Sequence, residues 1–444
     1  MFPRILCFLL LVATCFPAYA QVQLKTVVSS VFYFRQRIDV HAYAGKPYRL
    51  AARTKVTAPA GDSADANVIA AVFDKNKKFL SVTAPGAMRN KHRDGQWHTF
   101  SASGRLPAAA GFMMITNYVY LNGTFGYDDF KLETETSKGS WQAVPVVNGD
   151  FSATRSDSTS GFPNGWRPIY QVAGFSSRAA TEASGNGYLE ITGQDVVDYG
   201  RNAKAGHTVA VNGIKLYYET YGSGEPLLLL HGNGQSISAF TGQIPELAKH
   251  YQVIAVDTRA QGKSTTDGKA LTYDLFAEDM NALLETLRVP AAHVVGWSDG
   301  GNTGLSLALH HPDKVKRLVT MGANLYADTT AVKPATLKEV RQGKLMTTLL
   351  WPVNKRMRQM RPLTVLLLKY PRMKPAELKA IQAPTLVLAG EKDVIQDAHT
   401  RLIAANLPRG QVQVFPKLTH YAPQEDPAVF NAAVLRFLQT PAGN

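Results

Sequence analysis

The chain has 444 residues, 45% of them hydrophobic, with 48 Lys+Arg against 34 Asp+Glu and a formal net charge of +14. That length suits two domains with separate cores, and the positive balance lacks the Lys/Arg runs interleaved with aromatics that would track a nucleic acid, leaving a general affinity for anionic surfaces such as envelope lipid or acidic polysaccharide. Both cysteines, Cys7 and Cys15, lie near the start, so the rest of the chain has no disulfide or thiol chemistry, and no later stretch offers the ~18 uncharged apolar residues of a membrane-spanning helix.

At the N-terminus, Arg4 precedes an apolar run over 5–13, and Ala18-Tyr19-Ala20 forms an A-x-A cleavage site before Gln21. Residues 1–20 therefore read as a secretory signal peptide, which makes the protein secreted or periplasmic.

Over 21–200 helical periodicity is scarce, and β-prone runs recur at 31–35, 48–53, 68–74, 97–101 and 113–120. That spacing predicts an all-β sandwich. Residues 126–133 resemble the last strand of carbohydrate-binding, galactose-binding-like jelly rolls, and 94–98 resemble a strand entry of the same group. Residues 147–151 and 163–166 resemble the opening of such a domain, yet they follow the apparent last strand. Either 145–195 supplies the opening strands of one permuted sandwich, or it begins an incomplete second one. The first is preferred, because ~50 residues are too few to bury a core alone. The resemblance implies carbohydrate binding, for which Trp97, Tyr118, Tyr120, Trp141 and Trp166 are candidate stacking residues; the competing fate of such large rings is the core. Asp128 and Asp129 fall short of the six to eight oxygens of a Ca²⁺ site. No metal and no cofactor are expected.

From 201 to 444 the pattern changes. Residues 207–211 and 214–218 read as strands around an Asn212-Gly213 hairpin turn, and 226–230 is a buried strand entering His231-Gly232-Asn233-Gly234. An apolar run then enters Gly296-Trp297-Ser298-Asp299-Gly300-Gly301 and continues as a helix to His310. This G-x-S-x-G layout is a nucleophile elbow, and a Cβ at Gly296 or Gly300 would collide with the folded-back chain. Asp393 and His420 each follow a short strand pattern, at 384–390 and 412–416, where open α/β sheets place their chemistry. The serine needs His420 to remove its proton, and Asp393 to orient the imidazole and stabilise its charge. The oxyanion donors are assigned to the backbone N–H groups of Asn233 and Asp299. His231 reads as a loop anchor rather than a second base.

The order Ser298, Asp393, His420 resembles that of serine α/β-hydrolases, as does the segment Asp257-Thr258-Arg259-Ala260-Gln261-Gly262-Lys263-Ser264, which is similar to D-x-R-G-x-G-x-S apart from Ala260. The elbow resembles that of valacyclovir-hydrolase-like and bacterial esterases, and Ser298 stands where the similarly built dehalogenases and epoxide hydrolases use aspartate. The resemblance implies a mostly parallel sheet with flanking helices and a small cap at about 323–380. This interval holds twelve Lys/Arg against Asp328, Glu339 and Glu377. Leu345, Met346, Leu349, Leu350, Trp351, Met357 and Met360 recur there at helical spacing. We expect them to pack the cap on the core while the cations face water; the alternative has them line an acyl pocket with a cationic entrance.

The expected protein is an exported serine hydrolase, carboxylesterase-like, acting on a small or polymer-linked ester with an accessory sandwich in front. An amidase or aminopeptidase is the rival within the same chemistry. A carbohydrate- or surface-binding protein with a vestigial hydrolase domain is the rival of another class, and the complete set Ser298, Asp393, His420 argues against it.

Overall fold

Two large antiparallel sheets in the first half and one mostly parallel sheet in the second build two different units. The computed structural model describes residues 26–59, 63–83, 86–152 and 162–440; the expected leader at 1–20 lies outside the described residues. The division falls at Val197/Asp198, slightly before the expected 201. The cause is Glu219, a buried carboxylate of the second unit that accepts the N–H groups of Gly200 (2.7 Å) and Asn202 (2.9 Å).

The first unit has two six-stranded sheets whose pairings are antiparallel. In Pro47–Thr57 every second side chain from Tyr48 to Val56 is buried, the period of a strand with one face on a core. Both sheets supply that core, through Phe34, Val68 and Ile115 on one side and Leu50, Phe125 and Leu132 on the other. Residues 145–195 complete the same core. Gly187–Gly193 pairs with Gly123–Ser137, Arg167–Pro168 pairs with Val31–Asp39, and Phe151, Phe162, Trp166, Leu189 and Ile191 pack among the residues above.

The second unit has an eight-stranded sheet in the order Gly206–Val211, Ile214–Tyr221, Gln252–Asp257, Pro226–Leu230, Ala292–Trp297, Val315–Met321, Thr385–Lys392, Gly410–Thr419. The first two pairings are antiparallel and the rest parallel. Asn212 and Gly213 both take positive φ (45° and 78°) in the hairpin, as a type I′ turn requires. Leu227, Leu228, Leu229 and Leu230 are wholly buried, because helices cover both faces of a parallel sheet.

Between Val315–Met321 and Thr385–Lys392 the chain forms two long helices, Pro334–Leu350 and Lys355–Lys369. Here the expected core packing fails. Leu345, Met346, Leu349, Leu350 and Trp351 are exposed, while Met357 and Met360 are only partly buried. The helices are rooted instead through Leu337, which packs with Ala331 and Ile395, and through Leu363 and Leu366, which pack with Leu271, Tyr273 and Phe276.

Trp166 is fully buried against Phe34, Phe130 and Phe151. Trp166→Ala should therefore destabilise the first unit by about 3–5 kcal/mol, read as a shift of its unfolding transition in urea. A loss under about 1 kcal/mol would show that 145–195 is not part of that core.

Candidate functional site

Ser298 sits between the strand Ala292–Trp297 and the helix Asp299–His310 at φ 56°, ψ −115°, outside the regions an L-residue ordinarily occupies. The turn is tight because glycines let backbone meet backbone. A Cβ on Gly296 would run into the carbonyl of Gly300, and one on Gly300 into the carbonyl of Leu230. Ser298 N–H donates to Met321 O at 2.7 Å, tying the elbow to the next strand.

His420 follows directly on the strand Gly410–Thr419, and Asp393 on Thr385–Lys392. The two meet: His420 Nδ1 donates to Asp393 Oδ1 at 2.7 Å. Burial pushes the Asp393 carboxyl up, but the His420 hydrogen bond and charge, with N–H groups from Ile395 and Gly390, outweigh it and leave the group below its ordinary value. An ionised carboxylate can only accept, so the imidazole proton lies on Nδ1 and the Nε2 lone pair is free to take a proton.

Two neighbours that sequence reasoning missed set this geometry. Trp297, buried beside the elbow, donates its indole N–H to His420 O at 2.8 Å, so one dipeptide carries the serine and a tether for the histidine. Gly322, at φ +62°, lies against the imidazole; a Cβ there would come within 2.5 Å of His420 Cε1 and 2.6 Å of Nδ1. A glycine directly after a strand was the one available signal for it.

The proposed oxyanion donors face the same loop cluster. Asp299 opens its helix, so its N–H has no intrahelical partner, and Gly232 approaches the elbow closely enough that a Cβ would lie 3.2 Å from Ser298 Cβ. The Asp299 side chain adds a contact absent from the sequence argument. Its buried carboxylate accepts Asn233 Nδ2 at 2.9 Å and Tyr273 OH at 2.8 Å, clamping the Asn233 loop to the elbow helix. Burial raises its pKa from 3.8 to about 6, against the pull of both hydrogen bonds and the His420 charge. His231 has the geometry of an anchor: Nδ1 donates to Gly232 O at 2.8 Å and Nε2 accepts Thr258 N–H at 3.1 Å. Burial lowers its pKa to about 4, so it is neutral at physiological pH. Ala260, where the resembled motif has glycine, takes φ +64°, the region glycine favours.

A cavity of about 200 Å³ lined by Tyr273, Asn302, Asn324, Tyr370 and Arg372 among others includes none of Ser298, Asp393 and His420. In the first unit, Asp128 and Asp129 are occupied by Arg53, a cation already standing where Ca²⁺ would sit. His92, Asp94 and His98 bring three potential ligand atoms within 4.8 Å of one another. Of the candidate sugar-stacking residues, Trp166 and Tyr120 are buried, Trp97 lies under Arg53 and Lys55 (4.8 and 5.0 Å), and Trp141 under Arg49 (4.6 Å).

Residues 225–345 match the model of the alpha/beta hydrolase fold family. A 2-hydroxy-6-oxononadienedioate/2-hydroxy-6-oxononatrienedioate hydrolase of Burkholderia vietnamiensis is 30% identical over 266 residues, 51% of this chain and 91% of that protein. A 2-hydroxymuconate semialdehyde hydrolase of Pseudomonas sp. is 28% identical over 264 residues, 52% of this chain and 93% of the relative. The mouse serine hydrolase BPHL is 36% identical over 124 residues, 27% of this chain and 43% of its own length. The chain belongs to the alpha/beta hydrolase family.

Two outcomes follow from this geometry. Gly322→Ala should displace the imidazole and lower kcat by about 10²-fold, at a backbone cost of about 1–2 kcal/mol; unchanged turnover would remove Gly322 from the site. Asp299 binds a proton in the folded protein between about 6 and 3.8, where the unfolded chain does not. Stability should thus shift toward wild type, relative to Asp299→Asn, as pH falls through that window. A difference independent of pH, measured by urea unfolding, would contradict the raised pKa.

Proposed function

We propose that this alpha/beta hydrolase cleaves a carboxylic ester through an acyl-enzyme on Ser298. The observation that carries the reading is the hydrogen-bonded His420–Asp393 unit, tethered through Trp297 to a serine in strained backbone. Ser298 Oγ attacks the ester carbonyl carbon as His420 Nε2 takes its proton. The negative charge that develops on the carbonyl oxygen is received by the N–H groups of Asn233 and Asp299. The C–O bond breaks, and His420 returns the proton to the departing alcohol. Water then attacks the acyl carbon with His420 again as base, releasing the acid and free serine.

The relatives' names span a semialdehyde, dienedioates and, in one protein of Caulobacter sp., a carbamate. Such a spread supports placing the shared element in the nucleophile machinery and substrate choice in the surrounding loops. Export directed by residues 1–20 belongs to the same proposal. So does an accessory role for the N-terminal unit, as an all-β sandwich holding a carbohydrate-bearing substrate, with Trp97, Tyr118 and Trp141 as its partly exposed aromatics.

Ser298→Ala should abolish ester turnover while the protein stays folded. In subtilisin, loss of the nucleophile costs on the order of 10⁶ in kcat. His420→Ala should be comparably damaging. Hydrolysis of a panel of p-nitrophenyl esters, run beside aminoacyl amides, measures both; turnover by Ser298→Ala within about tenfold of wild type would overturn the nucleophile assignment, and a preference for the amides would overturn the ester reading.

A further inference from the structure

The helices Pro334–Leu350 and Lys355–Lys369 lie against each other, with Thr347 Oγ1 3.4 Å from Thr364 Oγ1. Within them only Leu337, Thr347, Leu363 and Leu366 are buried. Leu337 and the pair Leu363 and Leu366 root the ends nearest the body, and Thr347 lies between the helices. The far end, where the first helix runs into the second, has no apolar residue in a core.

That end is nonetheless apolar. Leu345 (59% exposed), Met346, Leu349 (63%), Leu350, Trp351 and Val353 (82%) all face outward within nine residues. Elsewhere among the described residues, exposed large apolar side chains such as Phe79, Val147 and Val429 are scattered through the chain. A concentrated patch of this kind marks an interaction surface, whereas single exposed leucines do not.

The patch is bordered by one sign of charge. Between 333 and 361 the chain carries Lys333, Lys338, Arg341, Lys344, Lys355, Arg356, Arg358 and Arg361, with Glu339 as the only acid. None of these cations forms an ion pair among the described residues. An occupant must therefore offer apolar depth and negative charge together. A second copy of the same hairpin would bring cations against cations. No described helix is long and apolar enough to cross a membrane.

We propose that the tip of this helical hairpin docks on an anionic phospholipid bilayer. Leu345, Leu349, Trp351 and Val353 enter the boundary between headgroups and acyl chains, while Arg341, Lys344, Lys355 and Arg356 meet the phosphates. The proposal goes beyond the hydrolytic reading and does not depend on it, since it requires neither Ser298 nor His420.

The experiment is flotation of the full-length protein with vesicles of phosphatidylcholine, with or without about 30% phosphatidylglycerol. Wild type should float with the anionic vesicles, and much less so with neutral ones or in about 1 M salt, where the Debye length is about 3 Å. Leu349→Glu/Val353→Glu should abolish flotation yet hydrolyse a soluble ester at the wild-type rate. Arg341→Gln/Lys344→Gln/Lys355→Gln should weaken binding about fivefold per cation removed. Failure of wild type to float, or equal flotation of Leu349→Glu/Val353→Glu, overturns the proposal. So does sedimentation showing a wild-type dimer that this double variant dissociates, because the patch would then cover a second copy. Loss of esterase activity in Ser298→Ala with flotation intact separates this proposal from the functional one.

Discussion

The site depends on a close approach of backbone to backbone at the elbow. Strand Ala292–Trp297 and helix Asp299–His310 are joined by a single residue at φ 56°, ψ −115°, a conformation that costs on the order of 1–3 kcal/mol and persists only where the surroundings over-determine it. They do so here from three sides. Gly296 and Gly300 have room for nothing beyond hydrogen, the Leu230 carbonyl lies under Gly300, and Met321 O accepts the serine N–H. Because strand Pro226–Leu230 supplies one of these walls, the loop that follows it is delivered to the serine. The same contact that strains Ser298 therefore places Asn233 beside it.

From that point the polar groups act as a connected set. Asp393 orients His420, Trp297 holds the His420 backbone, and Gly322 leaves the space in which the ring lies. On the other side Asp299 joins Asn233 to Tyr273. A buried carboxylate is costly unless donors surround it, and Asp299 has donors from two different segments. Its burial thus couples the loop after Pro226–Leu230 to the elbow helix.

What could be read from sequence was local. Chemistry-bearing side chains at strand ends, the hairpin at Asn212-Gly213 and the steric role of Gly296 and Gly300 all depend on residues adjacent in the chain, and the structure places them accordingly. Trp297, Gly322, Tyr273 and the Asp299 carboxylate act through partners 26 to 123 residues away, which no local pattern encodes. In the first unit alternation marks many of the strands, while the joining of Trp166 and Ile191 to a core begun by Phe34 is a matter of topology, approached from sequence only through the size of the 145–195 segment.

The helical hairpin shows why periodicity misleads in a particular way. Residues 345 and 349 are four apart, and that spacing does specify a common side of the helix Pro334–Leu350. It does not specify what lies opposite. Core packing was the natural expectation because most apolar stripes of soluble helices face a core, and it would have required neighbours that the roots of this hairpin do not supply. Leu337, Leu363 and Leu366 take the available contacts with the body, and the remaining apolar residues are carried past it. Charge is the discriminator. A stripe destined for a core needs no charge of its own sign around it, whereas cations on both helices with one acid among them are better matched to an anionic surface outside the protein.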